Sequence, residues 1–480
     1  MSNRADFMNR HPTDRRPLAA LPFIVVGVVL GCAPDADPSG TPEPVSGPAS
    51  VAPSALTGAA QPAADWPNWR GPQRTAVAPT ARMPHAWPSR WPAPRWQAKL
   101  GTGWSSPVVA EGRVYISDRE GPRERLLALD AATGRPLWES SHAVDFDPHS
   151  VGRRHGNGPK STPAVREGRV YWLGIAGWLE CLDAAEGTVD WQVNLPAQFG
   201  ALEPLPAGRA EVVGTRHVLV PVGEGRGAPV PLFGYTGSLL LTERLVVLSV
   251  GGARGATVMA LDRLTGDVVW KALAENVAYS SPSRATLAGI DQVVVMTGPR
   301  VVGLELASGR MLWSHPFQIQ YDESISTPAI AGDLVLVTGD GHPLTALAVD
   351  SDGRGGQSVR VAWTNADLSS YLSSPLVADG HVYGMNDGGQ IVCARVSDGR
   401  SLWAEGDHGF HASPVLADGW LLLLNDEGDL LAVEATPTGY QAQGPWSLCP
   451  TGAWTQPAVV GQRLYVRGDG ELSCFELGEP

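Results

Sequence analysis

The sequence predicts an all-β chain: an eight-bladed β-propeller of four-stranded antiparallel blades, closed by a strand from its own N-terminal side. Three observations lead there. A unit reading A-L-D-A-A-T-G-R-P-L-W at residues 128–138 returns as C-L-D-A-A-E-G-T-V-D-W at 181–191 and A-L-D-R-L-T-G-D-V-V-W at 260–270. Looser copies at 303–313 and 393–403 keep the Gly and the Trp. Self-similarity at a fixed period of tens of residues marks a repeat architecture. A small-Ser/Thr-Pro step also precedes most copies, and the last repeat stops one strand short.

The unit has a physical reading. The apolar residues before the Asp form one strand. The Asp opens a turn, because its carboxylate can bond backbone two residues on. The Gly supplies the positive φ of a tight, bulged hairpin. The Trp lies in the next strand as a wedge against a neighbouring repeat, and the small Ala, Cys or Gly that opens the unit leaves room for it.

From Trp91 onward the chain divides into eight repeats. Six begin at Ser106-Pro107, Thr162-Pro163, Ser281-Pro282, Thr327-Pro328, Ser374-Pro375 and Ser413-Pro414. The eighth has Gln456-Pro457, and the degenerate third has Gly237-Ser238 in that place. A polar turn follows, such as Glu111-Gly112. Then come an alternating strand such as Val114-Tyr115-Ile116, a third strand running into the Asp turn, and a fourth carrying the Trp. Four short strands recurring at about 40–50 residues describe a propeller blade. The eighth repeat ends after Leu477 with no Trp strand, while Pro94 to Lys99 is a Trp strand with no repeat. Joining the two covers two open sheet edges.

The chain before the repeats divides into three parts. Residues 1–32 read as a lipoprotein signal: Arg4, Arg10, Arg15 and Arg16 precede an apolar run from Leu18 to Leu30. That run has the length of a signal h-region and is short for a membrane span. It ends Val29-Leu30-Gly31-Cys32, which resembles a lipobox with Cys32 as the lipidated residue; Ala33 after it resembles outer-membrane lipoproteins. Residues 33–64, rich in Pro, Ala, Ser and Gly, read as a disordered tether. Residues 65–90, opening Asp65-Trp66-Pro67-Asn68-Trp69-Arg70-Gly71-Pro72, read as a capping segment, with a ligand clamp as the alternative. Residues 91–480 are the propeller.

Composition agrees. There are 17 Trp against 9 Tyr and 8 Phe, so Trp serves as a repeated structural part. The 56 Gly and 41 Pro fit many short strands joined by turns. A net charge of −13 argues against nucleic acid as a partner. Cys181, Cys393 and Cys474 each fill the small slot of a different repeat, and Cys449 lies outside the unit. Equivalent slots are far apart, so buried free thiols are expected even in an exported chain. No zinc spacing is present.

With this unit and count, the chain resembles the bacterial PQQ-like repeat β-propellers, built on the fold of quinoprotein alcohol dehydrogenases. The opening W-P-N-W-R-G-P is similar to the start of many exported members. The resemblance implies two function classes. Some members are dehydrogenases that use pyrroloquinoline quinone with calcium. Another is a non-catalytic lipoprotein that assists β-barrel assembly in the outer membrane. The family's enzymes use an acidic and amide calcium site, an Asp base, a Trp under the cofactor and often two adjacent cysteines; this chain has no adjacent cysteines.

The chemistry-bearing residues weigh toward binding. Asp322-Glu323 and Asp145-Phe146-Asp147 could hold calcium, but carboxylates in polar loops are more often solvated. His142, His149 and His155 share a segment without metal spacing and read as polar loop groups. The expectation is a monomeric, lipid-anchored scaffold on the periplasmic side of the envelope, binding envelope proteins or peptides, with no cofactor. The alternatives are a quinone-dependent alcohol or sugar dehydrogenase and a structural propeller without a ligand.

Long inter-blade insertions at 140–160, 196–234 and 441–453 share one face, which marks it as the candidate binding face. Three residues before each strand-start Pro come Trp104, Lys160, Tyr235, Tyr279, Ile325, Leu372, His411 and Trp454. These eight are expected to ring the mouth of the central channel, and with His155 from the insert to form a recognition site. Plugging the channel is the alternative role.

Overall fold

A computed structural model describes residues 65–148, 152–199, 231–251, 255–353 and 356–478. The signal, the tether, Cys32, His149 and the middle of the second insertion lie outside the described residues.

Eight sheets of meandering antiparallel strands form the propeller. Blade 1 is Val108–Ala110, Arg113–Glu120, Arg123–Asp130 and Pro136–Ala143. Blade 2 runs from Ala164–Arg166 to Val189–Asn194, blade 3 from Leu240–Leu241 to Val268–Ala272, and blade 4 from Ser283–Leu287 to Met311–Pro316. Blade 5 ends in the long hairpin His342–Ser351 and Gln357–Ser369. Blade 6 runs from Leu376–Ala378 to Ser401–Glu405, and blade 7 from Val415–Ala417 to Ala442–Ser447. Blade 8 contains Ala458–Val460, Arg463–Gly468 and Glu471–Glu476. Its outermost strand is Trp96–Lys99, in register as Trp96 opposite Cys474 and Lys99 opposite Glu471. The ring is closed by that pairing.

Residues 441–453 are not a loop insertion, because Ala442–Ser447 is the fourth strand of blade 7. Its A-Q-G-P-W-S sequence hides the strand. An outermost strand tolerates Pro445, since its free side needs no donor.

The repeated unit works as an inter-blade dock. Each Trp faces the small residue across the hairpin: Ala128 opposite Trp138, Cys181 opposite Trp191, Ala260 opposite Trp270, Cys393 opposite Trp403. The indole then reaches the following blade. The Nε1–H of Trp138 donates to Ala184 O at 3.1 Å, Trp191 to Arg263 O at 3.0 Å, and Trp270 to Leu306 O at 2.9 Å. Trp96 does the same across the seam, to Ala131 O at 3.2 Å. The six-membered edges of Trp96, Trp138, Trp191, Trp270 and Trp363 cover the turn glycines Gly134, Gly187, Gly266, Gly309 and Gly399 of the following blades. Asp130 holds its turn by accepting from Ala132 N, Thr133 N and the Thr133 hydroxyl. Trp313 departs from the pattern and donates within its own blade to Gln292 Oε1 at 2.6 Å. Cys181, Cys393, Cys449 and Cys474 are buried free thiols.

The Ser/Thr-Pro steps build a second connection, around the axis. Ser106 N–H donates to Thr162 Oγ1, Thr162 N–H to Ser238 Oγ, and Ser238 N–H to Ser281 Oγ, at 2.9–3.1 Å. Thr327 N–H donates to Ser374 Oγ and Ser374 N–H to Ser413 Oγ. Gln456 N–H donates to Ser106 Oγ, crossing the seam. Each hydroxyl thus caps an amide of the preceding blade, worth about 1 kcal/mol per bond.

The N-terminal segment threads this ring. Trp66 bridges Val109 of blade 1, and Pro67 O accepts from Val165 N–H of blade 2. Arg70 donates to Pro375 O at blade 6, and Arg74 to carbonyls of Leu239 and Pro282 at blades 3 and 4. Val77–Ala78 then joins blade 7 as a parallel fifth strand beside Val415–Ala417. Contacts on opposite sides of the ring within a dozen residues mean that the segment crosses the channel.

His142 is a strand residue, not a polar loop group. It lies in Pro136–Ala143, with Nε2 3.5 Å from Glu124 and Nδ1 3.3 Å from Glu180 of the next blade. Trp172 flanks the ring and donates to Glu180 at 2.8 Å. Burial disfavours the imidazolium, but the two carboxylates outweigh burial and raise its pKa to about 9. A pKa raised on folding contributes stability that is full below the ordinary histidine value and lost as pH rises through about 9. Thermal melts should therefore show wild-type stability falling between about pH 6.5 and 9, by on the order of 2 kcal/mol. His142→Gln should flatten that slope; equal slopes in the two proteins would remove the charged-histidine account.

Candidate functional site

The channel is divided by the crossing segment. On the face of the inter-blade connections it opens as a cavity of about 170 Å³. Trp69 lies at its inner end, and the hydroxyls of the axial belt line its wall.

The chain's entry into each innermost strand sets what surrounds the mouth. Trp104, Lys160, Tyr279, Ile325, Leu372, His411 and Trp454 all line this cavity, and His155 joins them from the short turn Arg153–His155. Tyr235 does not. It is buried in the core between blades 2 and 3, its amide bonded to Ile175 O and its ring against Gly177. The belt bonds make Ser238 the counterpart of Ser106, so Leu239 stands in the Pro place and Thr236 is the true ring position. Thr236 does line the cavity, and its hydroxyl donates to Tyr279 O at 3.1 Å. The third repeat has no Pro to set the offset, so counting from Ser238 lands on Tyr235, one residue early.

Aromatic rings form much of the wall. Trp104 and Trp454 are 6.1 Å apart, and His155 is edge-on to Trp454 at 5.3 Å and to Phe233 at 5.5 Å. Phe233 is edge-on to Tyr279 at 5.1 Å. Such geometry stabilises a rigid, apolar surface with polar tips. Phe233 and Trp69 carried no periodic signal, one being in an insertion and the other in the N-terminal segment. Tyr371 also lines the cavity beside the ring position Leu372, and an offset of three from the Pro does not mark it.

The polar groups are few and tied down. Lys160 Nζ donates to Gly156 O at 3.3 Å and Phe233 O at 3.2 Å; burial lowers its pKa to about 8 against the pull of Glu124. Burial lowers His411 to about 4, so its ring is neutral at pH 7. Its Nδ1 lies 3.2 Å from the Ser373 hydroxyl. That hydroxyl also accepts from Ala412 N–H, and it is outside the cavity wall, so the pair is a structural contact rather than a presented nucleophile. Among the described residues Glu323 is the one carboxylate lining the cavity, and it accepts from the Tyr371 hydroxyl. Asp322 and Glu323 are both buried, contrary to the solvated reading, whereas Asp145 and Asp147 are exposed. Asp322 is drawn inward by Asn276, whose amide donates to it at 3.0 Å.

Similar proteins bear on this architecture. A quinohemoprotein alcohol dehydrogenase of Pseudomonas putida is 32% identical over 116 residues, which is 21% of this chain and 15% of that protein. The chain thus spans a small part of that relative's length. An outer membrane protein assembly factor BamB of Shewanella oneidensis is 20% identical over 369 residues, covering 63% of this chain and 88% of that protein. Among solved structures, the quinohemoprotein alcohol dehydrogenase of Comamonas testosteroni superposes with a TM-score of 0.58 at 14% identity, over 87% of this chain and 81% of that one. That likeness is one of fold. A family model described as outer membrane protein assembly factor BamB matches residues 85–155 and 122–405. Covering more than half of the sequence and the blades that carry the Trp–Gly docks, that match places the chain in the BamB family of PQQ-like repeat propellers.

Proposed function

We propose that this protein is a non-catalytic binding scaffold of the cell envelope, exported, lipid-anchored at Cys32, and engaging envelope proteins or peptides at the aromatic cavity. The observation that carries the reading is the cavity wall itself: Trp104, Trp454, His155, Phe233 and Tyr279 present rigid apolar faces, with the ionisable groups already bonded to protein atoms. Aromatic surface with a few polar tips is what peptide recognition uses. The match to an assembly factor, over 88% of that protein and 63% of this chain, supports the same class.

The quinone-dependent dehydrogenase reading finds less support. A calcium-held quinone needs several hard oxygen donors converging on the ion. Among the described residues this cavity offers one carboxylate, Glu323, and Tyr371 already donates to it. Among the described residues no group of three or more His, Cys, Asp or Glu side chains could hold a metal.

Cross-linking in envelope extract tests the proposal. Wild-type protein is expected to capture a defined set of envelope proteins. A Trp104→Ala/Trp454→Ala variant that melts normally is expected to lose them, since central aromatic anchors contribute about 2 kcal/mol or more each. A folded variant that keeps every partner removes the cavity from the function. A parallel titration with pyrroloquinoline quinone and calcium should give no stoichiometric absorbance change; a saturating one would favour the dehydrogenase.

A further inference from the structure

The other end of the channel holds a second cavity, of about 360 Å³. Its inner wall is the crossing segment, with Asn68, Arg70 and Arg74, and its rim includes Arg166, Glu243 and Arg284 of blades 2 to 4. That space is far larger than one water needs.

The two inner arginines set its chemistry. Arg70 is 3% exposed; one Nη donates to Pro375 O, and its buried Nε has no protein partner. Arg74 donates to the carbonyls of Leu239, Ser238 and Pro282. Carbonyls satisfy hydrogen bonds but carry no net charge. Among the described residues neither guanidinium makes an ion pair, whereas the rim arginines do: Arg166 with Glu167 at 3.3 Å, and Arg284 with Asp291 at 2.8 Å and Glu243 at 3.1 Å. Among the described residues Glu243 is the one acid lining the cavity, against four arginines. Two charges of one sign lining the same space, Arg70 buried and Arg74 half-buried, are costly unless a counter-charge enters. Burial accordingly lowers Arg70 to about 10 and, with Arg70 beside it, Arg74 to about 9.

A guanidinium fork matches the geometry of an oxyanion and gives it paired, charge-assisted bonds. We propose that Arg70 and Arg74 make this cavity a binding site for a phosphate-type oxyanion, either free phosphate or the phosphate of a small ester. The W-P-N-W-R-G-P segment would then be more than a plug: it carries Arg70, the unsatisfied donor, to the axis. The inference is independent of the scaffold proposal, which concerns the opposite face.

Thermal unfolding of the full chain in inorganic phosphate, in glycerol 1-phosphate and in chloride at matched ionic strength tests it. Phosphate or the ester is expected to raise the midpoint saturably above chloride, as any ligand bound only by the folded state does. The more effective of the two identifies the source. Arg74→Gln should weaken the apparent Kd by about tenfold or more. Glu243→Gln removes the one negative group without touching the plug and should tighten it. Equal midpoints in phosphate, ester and chloride would overturn the proposal. So would a Glu243→Gln protein with unchanged or weaker affinity, which decides the matter even where Arg74→Gln fails to fold.

Discussion

Deleting residues 91–99 should abolish the cooperative unfolding of the domain. Trp96–Lys99 is the outermost strand of blade 8, so its loss leaves Glu471–Glu476 as an open edge. It also removes the indole that covers Gly134 and donates to Ala131 O, the dock between the last blade and the first. Trp91 goes too, and with it a contact at 4.9 Å to Trp446 in the cluster over blade 7. Trp96→Ala alone is expected to cost about 3–5 kcal/mol, the usual range for emptying a buried aromatic site. The seam has other ties, notably fully buried Arg467, which donates to Ser105 O and Ser117 O of blade 1. These hold the blades together but cannot replace a strand. Circular dichroism melts of the deletion and of Trp96→Ala measure the effect, and a deletion that melts at the wild-type midpoint would refute closure as a stabilising device.

Gly399→Ala should destabilise the protein by about 3 kcal/mol or more. Gly399 has φ +72°, which disfavours any residue with a Cβ, and an added Cβ would lie 2.3 Å from Cε3 of Trp363. Trp363 cannot retreat without breaking its 2.8 Å bond to Val396 O. Both costs therefore fall on one substitution. Gly380→Ala is the control: φ is +75° and nothing lies within 4 Å of the new Cβ, so backbone strain acts alone at about 1–2 kcal/mol. Urea titrations of the two variants separate strain from clash; equal losses would mean that the Trp dock yields easily.

The repeat was legible because its chemistry is local. Asp130 bonds its own turn, Gly134 supplies its own positive φ, and Ala128 faces Trp138 across one hairpin. The blade-5 copy is hidden in the sequence because its long hairpin separates Asp350 from Trp363, although Ala346 still faces that Trp. The seven aligned cavity residues were legible for the same reason, each lying at a fixed offset from a Pro. Where the Pro was missing, the offset slipped from Thr236 to Tyr235.

By itself the sequence determined the blade count, the strand order within a blade and the closing strand. All of these follow from short-range rules of turn geometry and alternation, applied repeatedly. Tertiary structure alone decided what meets across blades: the Ser/Thr hydroxyls as caps on the preceding blade's amides, His142 between Glu124 and Glu180, and Arg70 and Arg74 brought to the axis. Those partners are dozens to hundreds of residues apart and leave no periodic trace. A charged residue in a turn-rich segment reads the same whether solvent or a closed ring of carbonyls surrounds it, and only the closure of the ring determines which.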